Sequence, residues 1–179
     1  MQITMVPPDL RALDDNPSDV IVLGTFADER PLEGVTGLVD WRLCGAISSW
    51  KLGGLVSGVY GEQLVYPTRG RLSHPTLLLL GLGTRAEHRS DRAFAMAQQA
   101  IRTASGLGAS SITLGLLGLE QLASPLERTG TKLMGILREA CTPTRDAEAR
   151  LGRVTLIASV EEQRLIRDGM AFYAARAGA

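Results

Sequence analysis

The sequence predicts an α/β fold, a three-layer α/β/α sandwich built on a mixed, mostly parallel sheet. Two observations carry this. Several aliphatic and β-branched runs of five to seven residues are too short for helices and suit buried strands. From the middle of the 179-residue chain onward, such runs alternate with helix-length amphipathic stretches, and parallel neighbours need such crossovers.

The elements follow in order. Met1 to Met5 alternates weakly and reads as a short edge strand stopped by Pro7 and Pro8, with a polar loop from Asp14 to Asp19. This early portion is expected to add antiparallel or edge strands. Val20 to Phe26 (VIVLGTF) is a buried strand. From Gly37 to Lys51, Leu38, Trp41, Cys44 and Ile47 recur at near-helical spacing, with Thr36 available as N-cap. Glycines 53, 54, 58 and 61 then break the pattern, and Glu62 to Pro67 alternates like a strand. Thr76 to Leu80 (TLLLL) is the most apolar run; it reads as a central strand ending in the Gly81-Leu82-Gly83 turn. Ser90 can cap the next helix, whose Phe94, Ala97, Ile101 and Ala104 share one face. Ile112 to Leu116 is a further strand. Ser124-Pro125-Leu126-Glu127 forms a capping box ahead of the stripe Leu122, Leu126, Thr129, Leu133, Ile136, Leu137 and Ala140. Val154 to Ala158 is the last strand. A second capping box, Ser159 with Glu162, opens a helix carrying Leu165, Ile166, Gly169, Met170, Phe172 and Tyr173.

Composition narrows the function classes. Hydrophobic residues at 45% and charged residues at 21% suit a globular chain and exclude a disordered one. One domain spanning residues 1–179 is the expectation for this length. Nineteen basic residues cancel nineteen acidic ones, so the footprint of a general nucleic-acid binder is missing. Only Lys51 and Lys132 are lysines, which limits lysine-based chemistry. Cys44 and Cys141 stand apart from any Cys/His cluster and are expected to be buried thiols. No apolar run reaches the roughly 20 residues that span a bilayer, and no secretory leader is visible. Neither membrane association nor a cofactor is expected, and the cytoplasm is the expected compartment.

The segments Val20 to Arg30 (VIVLGTFADER), Leu32 to Leu43 (LEGVTGLVDWRL), Gly58 to Pro67 (GVYGEQLVYP) and Leu77 to Thr84 (LLLLGLGT) lie in an order and spacing that resembles the N-terminal domain of leucyl aminopeptidases. The likeness covers most of positions 1 to 160. It implies a macro-domain-like fold and a non-catalytic part of the enzyme, because in that family the metal-dependent chemistry belongs to a following domain. Thr144 to Leu151 (TRDAEARL) resembles the family's metal-site signature at Asp146, Ala147, Glu148, Arg150 and Leu151. Two carboxylates cannot hold a two-metal site, and the signature's companion segments are missing. The string therefore reads as a solvated turn, and no metal or catalytic residue is assigned.

Gly58-Val59-Tyr60-Gly61 resembles the phosphate-gripping loop of macro domains but precedes an early strand, whereas theirs follows a late one. With Gly81, Gly83 and Thr84, where an anion could sit at a helix start, Gly58, Tyr60 and Gly61 form the candidate ligand loops. The only asparagine, Asn16, lies in an early loop, which argues against ADP-ribose hydrolysis. His74 and His88 fall in predicted turns and are expected at the surface. Trp41 and Trp50 are expected to pack in the core; either one left exposed would mark a partner surface. These readings favour a domain acting through protein contacts, with itself or with another protein. The alternatives are a nucleotide or ADP-ribose-type binding module, and an accessory or remnant subunit of a metallo-aminopeptidase.

Overall fold

The computed structural model describes residues 2–121, 131–132, 135–136 and 151–177, with side chains described as far as Ala171 in the last helix. Among the described residues six strands make one sheet: β1 (Gln2–Val6), β2 (Val20–Thr25), β3 (Gln63–Pro67), β4 (Thr76–Gly81), β5 (Ser111–Leu114) and β6 (Arg153–Ile157). Their spatial order is β1-β6-β5-β2-β4-β3. Every pairing is parallel except β3 with β4, so the sheet is mixed and mostly parallel. The early strand β1 is an edge strand, as expected, but it runs parallel to β6; the antiparallel member is β3.

Side chains alternate across a strand, so a run that is apolar at every position feeds both faces of the sheet. Val20, Val22, Leu78 and Leu80 join one core cluster, with helix α4 (Ser90–Gly106) and Ile166 of helix α5 (Val160–Ala177). Ile21, Leu23, Leu77 and Leu79 join the other, beneath α1 (Leu10–Asp15), α2 (Gly34–Arg42) and α3 (Ala46–Leu52). Three layers result. Leu77, Leu78, Leu79 and Leu80 are at most 2% exposed, and at about 1.5–3 kcal/mol each they contribute on the order of 10 kcal/mol before chain entropy is subtracted.

The helix over 90–106 buries Phe94, Ala97, Ile101 and Ala104, as its spacing predicts, although Arg89 rather than Ser90 occupies the N-cap. The second capping box forms: the Ser159 N–H donates to Glu162 Oε2 at 2.6 Å and the Glu162 N–H to Ser159 Oγ at 3.4 Å. In the 124–140 segment only Ile136 of the expected stripe is described, and it is buried. Its capping box, Cys141, Asp146 and Glu148 lie outside the described residues. Helix α1 was not foreseen, since six residues are too few for a periodic signal; Asp9 caps it by accepting the Ala12 N–H at 2.8 Å.

The stretch from 37 to 51 is not one helix. Cys44 and Gly45 adopt left-handed φ values of 59° and 78°, which end α2 and turn the chain into α3. The buried stripe is Thr36, Val39, Asp40, Leu43 and Ile47; of the expected set Ile47 is buried, while Leu38, Trp41 and Cys44 are exposed. Two polar members hide it from a hydrophobic scan. Thr36 is no N-cap: it sits inside α2 and donates its hydroxyl to the Gly24 carbonyl at 2.8 Å. Asp40 caps α3 from outside, accepting the N–H groups of Ile47 (2.7 Å) and Ser48 (3.1 Å).

Three residues correct the surface expectations. Cys44 is exposed, its sulfur accepting from Arg71 at 2.7 Å, because the left-handed turn swings it off the helix face. His74 and His88 are buried at 0% and 3% exposure. The Ser18 N–H donates to His74 Nδ1 at 3.1 Å. The ring of His88 meets Phe26 edge-on at 5.0 Å, and neither of its nitrogens completes a hydrogen bond, although the backbone of Leu82 and Leu117 approaches. Turn sequence alone cannot show that a turn folds inward. Among the described residues no helix is long and apolar enough to cross a membrane.

Candidate functional site

Strands β5 and β2 are parallel neighbours whose following loops leave in opposite directions, the first toward β6 and the second toward β4. Such a switch point opens a crevice beyond the carboxyl ends of the strands, where ligands of open α/β sheets bind. The crevice holds about 200 Å³ and is lined by Gly24 of β2, by Phe26, Glu29 and Glu33 after it, and by the turn Gly115 to Gly118, Glu120 and Gln121 from the β5 loop.

The turn after β5 is tightly built. Leu117 and Gly118 both adopt left-handed backbone, with φ of 55° and 83°. A side chain at Gly118 would come within 2.7 Å of His88 Nε2 and of Phe26 Cζ. Left-handed backbone costs a leucine roughly 1–2 kcal/mol, and strain of this kind concentrates at ligand-contacting turns.

The opposite wall is held by Glu29, which is 5% exposed. Its carboxylate accepts the N–H groups of Phe26 (3.0 Å) and Glu33 (3.1 Å) and the Thr25 hydroxyl (3.2 Å). Arg85 spans the two loops: its guanidinium lies 3.1 Å from Glu33 Oε2 and 3.6 Å from Glu29 Oε1, and it donates to Gln121 Oε1 at 2.7 Å. It also stacks 5.0 Å above the Phe26 ring. Carboxylates outnumber the one arginine here, so the crevice is net acidic.

Of the candidate ligand loops, the Gly58 to Gly61 turn packs against Gly81 to Gly83. Gly61 donates to the Gly81 carbonyl at 3.1 Å and Gly83 to the Gly58 carbonyl at 2.9 Å. A Cβ at Gly81 would fall 2.0 Å from the Val59 carbonyl oxygen, so this close approach itself demands glycine. Tyr60 lies beneath the Arg92 guanidinium at 5.0 Å, and Thr84 precedes a 3-10 turn at Arg85–Glu87. None of the six lines the crevice between β2 and β5. Sequence reasoning passed over Gly115 to Gly118, although its glycines have the same spacing as Gly58 and Gly61 and follow a late strand.

The two tryptophans part company. Trp50 is half-buried against Tyr66, ring centroids 4.6 Å apart. Trp41 is 73% exposed, contrary to the core role expected of it, because the buried stripe of α2 lies on Val39, Asp40 and Leu43. Leu52 at 75%, Leu55 at 63% and Val59 at 55% are exposed in the same α2, α3 and following-loop region.

No family model matches the chain. A probable cytosol aminopeptidase of Alkaliphilus oremlandii is 26% identical over 108 residues, which is 60% of this chain and 22% of that protein. Tomato leucine aminopeptidase, solved as a mutant, superposes with a TM-score of 0.66 at 16% identity, over 97% of this chain and 36% of that one. The Trypanosoma brucei macrodomain, solved in complex with ADP, superposes with a TM-score of 0.69 at 15% identity, over 94% of this chain and 69% of that one. The chain thus spans about a fifth of the curated relative and about a third of the tomato enzyme. The resemblance carried by residues 20 to 84 holds: this chain is similar to the N-terminal region of leucyl aminopeptidases and has the α/β fold of macrodomains.

Proposed function

We propose that the chain is a single, non-catalytic domain that works through protein contacts, self-associating through the outer face of α2, α3 and the loop after them. The exposed Trp41 carries this reading. A tryptophan three-quarters in water, in a region that also exposes Leu52, Leu55 and Val59, is the composition of an interface core rather than of ordinary surface. The fold is consistent, because the α2–α3 layer covers its sheet face with Val39, Leu43 and Ile47 and leaves these side chains outside. A cytoplasmic setting fits the relative's description as a cytosol enzyme. Light scattering of the purified chain tests it. Wild type should exceed the monomer mass at micromolar concentration, and Trp41→Ser combined with Leu52→Ser should return it to a monomer. A wild-type protein that stays monomeric to about 100 μM would end the self-association reading.

The crevice at the switch point supports a second reading, a small-molecule module, and a neighbour of the same fold was solved with ADP. Two features rank it lower. About 200 Å³ falls short of the roughly 300–1,000 Å³ typical of ligand pockets. Carboxylates at Glu29, Glu33 and Glu120 would oppose a diphosphate. A thermal-shift screen with nucleotides and neutral nucleosides decides between them, since a ligand at 100 times its Kd adds about 2.7 kcal/mol.

A further inference from the structure

One of the two lysines in the chain is hidden. Lys51, in the last turn of α3, is 4% exposed, while Lys132 is exposed. The Lys51 amine donates to Thr25 Oγ1 at 3.0 Å and to the Phe26 carbonyl at 2.5 Å. The Thr25 hydroxyl donates in turn to Glu29 Oε2 at 3.2 Å, so a buried amine, hydroxyl and carboxylate form one hydrogen-bonded chain. Lys51, Glu29 and Arg30 line a second cavity of about 160 Å³, walled by Pro31, Leu32 and Leu52 with Ser48 beside them.

Seventeen of the nineteen basic residues are arginine, a side chain that cannot release its proton; the buried position holds the one that can. A neutral amine has two N–H donors and one lone pair. Two acceptors are what the two N–H donors of a neutral amine would take, and an amine that has released its proton keeps its lone pair for an incoming group. Burial pushes the amine pKa down and nearby Arg30 adds to this, while Glu29, Glu62 and Asp28 oppose it; the net direction is downward.

We propose that Lys51 is an amine nucleophile that captures a small aldehyde in this cavity as an imine, with Thr25 and Glu29 as its proton route. At about 30 Å³ per water, 160 Å³ holds roughly five waters, so the aldehyde has only a few heavy atoms, and the proline and leucine walls suit a short alkyl group. The lone pair attacks the carbonyl carbon, forming the C–N bond as the C=O π pair moves to oxygen. One nitrogen proton passes through Thr25 to Glu29 and on to the alkoxide, giving the carbinolamine hydroxyl; the second follows the same route to that hydroxyl, which leaves as water as the nitrogen lone pair forms C=N. No oxidant or reductant takes part.

Propanal with sodium cyanoborohydride, applied to the full chain at pH 7, converts any imine into a propyl amine that peptide mass spectrometry assigns to Lys51 or Lys132. Lys51 should be modified several-fold faster than Lys132, because its cavity holds the aldehyde against the amine. Thr25→Val should slow labelling at Lys51 several-fold with Lys132 unchanged as the internal control. Labelling of Lys132 at least as fast as Lys51 in the wild type at pH 7 overturns the proposal, and an unaltered Lys51 rate in the valine variant removes the relay.

Discussion

The two faces of the sheet are covered in different ways. Over one face, α4 lays down an unbroken stripe of seven buried residues, from Ala93 to Ala104, and every one is apolar. Over the other, α2 and α3 are short, their buried stripe includes Thr36, Asp40 and Lys51, and Trp41, Leu52 and Leu55 remain outside. A face filled with alanine, leucine and isoleucine supplies stability and little else. A face that hides polar groups and exposes apolar ones gives up some of that stability, and such departures from the folding pattern concentrate where function is.

The contrast can be broken from its stable side first. Leu78→Ala, in the α4-side cluster at 0% exposure, should cost about 2–5 kcal/mol, read as a fall in the urea midpoint at constant slope. On the other face, Glu29→Ala should cost about 1–3 kcal/mol, because it strips the acceptor from Phe26 N–H, Glu33 N–H and the Thr25 hydroxyl. If the two losses come out reversed, the division of labour between the faces is wrong.

Acid should act next. Burial holds the pKa values of His74 and His88 below 6.5. The unfolded chain therefore takes up protons at these rings before the folded chain does, so their contribution is fully present above pH 6.5 and is lost as pH falls from there toward the folded values. Urea midpoints should drop between pH 7 and pH 5, and His88→Leu should flatten that slope. A midpoint that rises over this range would contradict the burial of both rings. Smallest of all is Trp41→Ser, which should shift stability by no more than about 0.5 kcal/mol while weakening self-association. A large loss of stability instead would mean that the indole is packed.

Much of the fold was legible because three of its strands are short, mostly aliphatic runs: VIVLGT, TLLLLG and RVTLI contain little that could be anything else at that length. The α4 stripe and the Ser159–Glu162 box were equally plain. What escaped depends on tertiary contact. Periodicity at Leu38, Trp41 and Cys44 chose the wrong face of α2, with Ile47 alone buried as expected, because the true stripe uses Thr36 and Asp40, whose burial is stabilised by hydrogen bonds to Gly24, Ile47 and Ser48. The crevice was missed for a related reason. Its two walls are some 90 residues apart in the chain, and only strand order brings them together; the glycine spacing of Gly115 and Gly118 after a late strand was the one local signal.

Asp40 ties two helices into one. The carboxylate belongs to the last turns of α2, yet the amides it holds are the first of α3. Neither helix can detach from the sheet without stripping the other of its start, so the corner should open and close as a block. In hydrogen exchange, Ile47 and Ser48 should then protect and deprotect in step with the α2 amides, making this layer one cooperative unit of the protein's fluctuations.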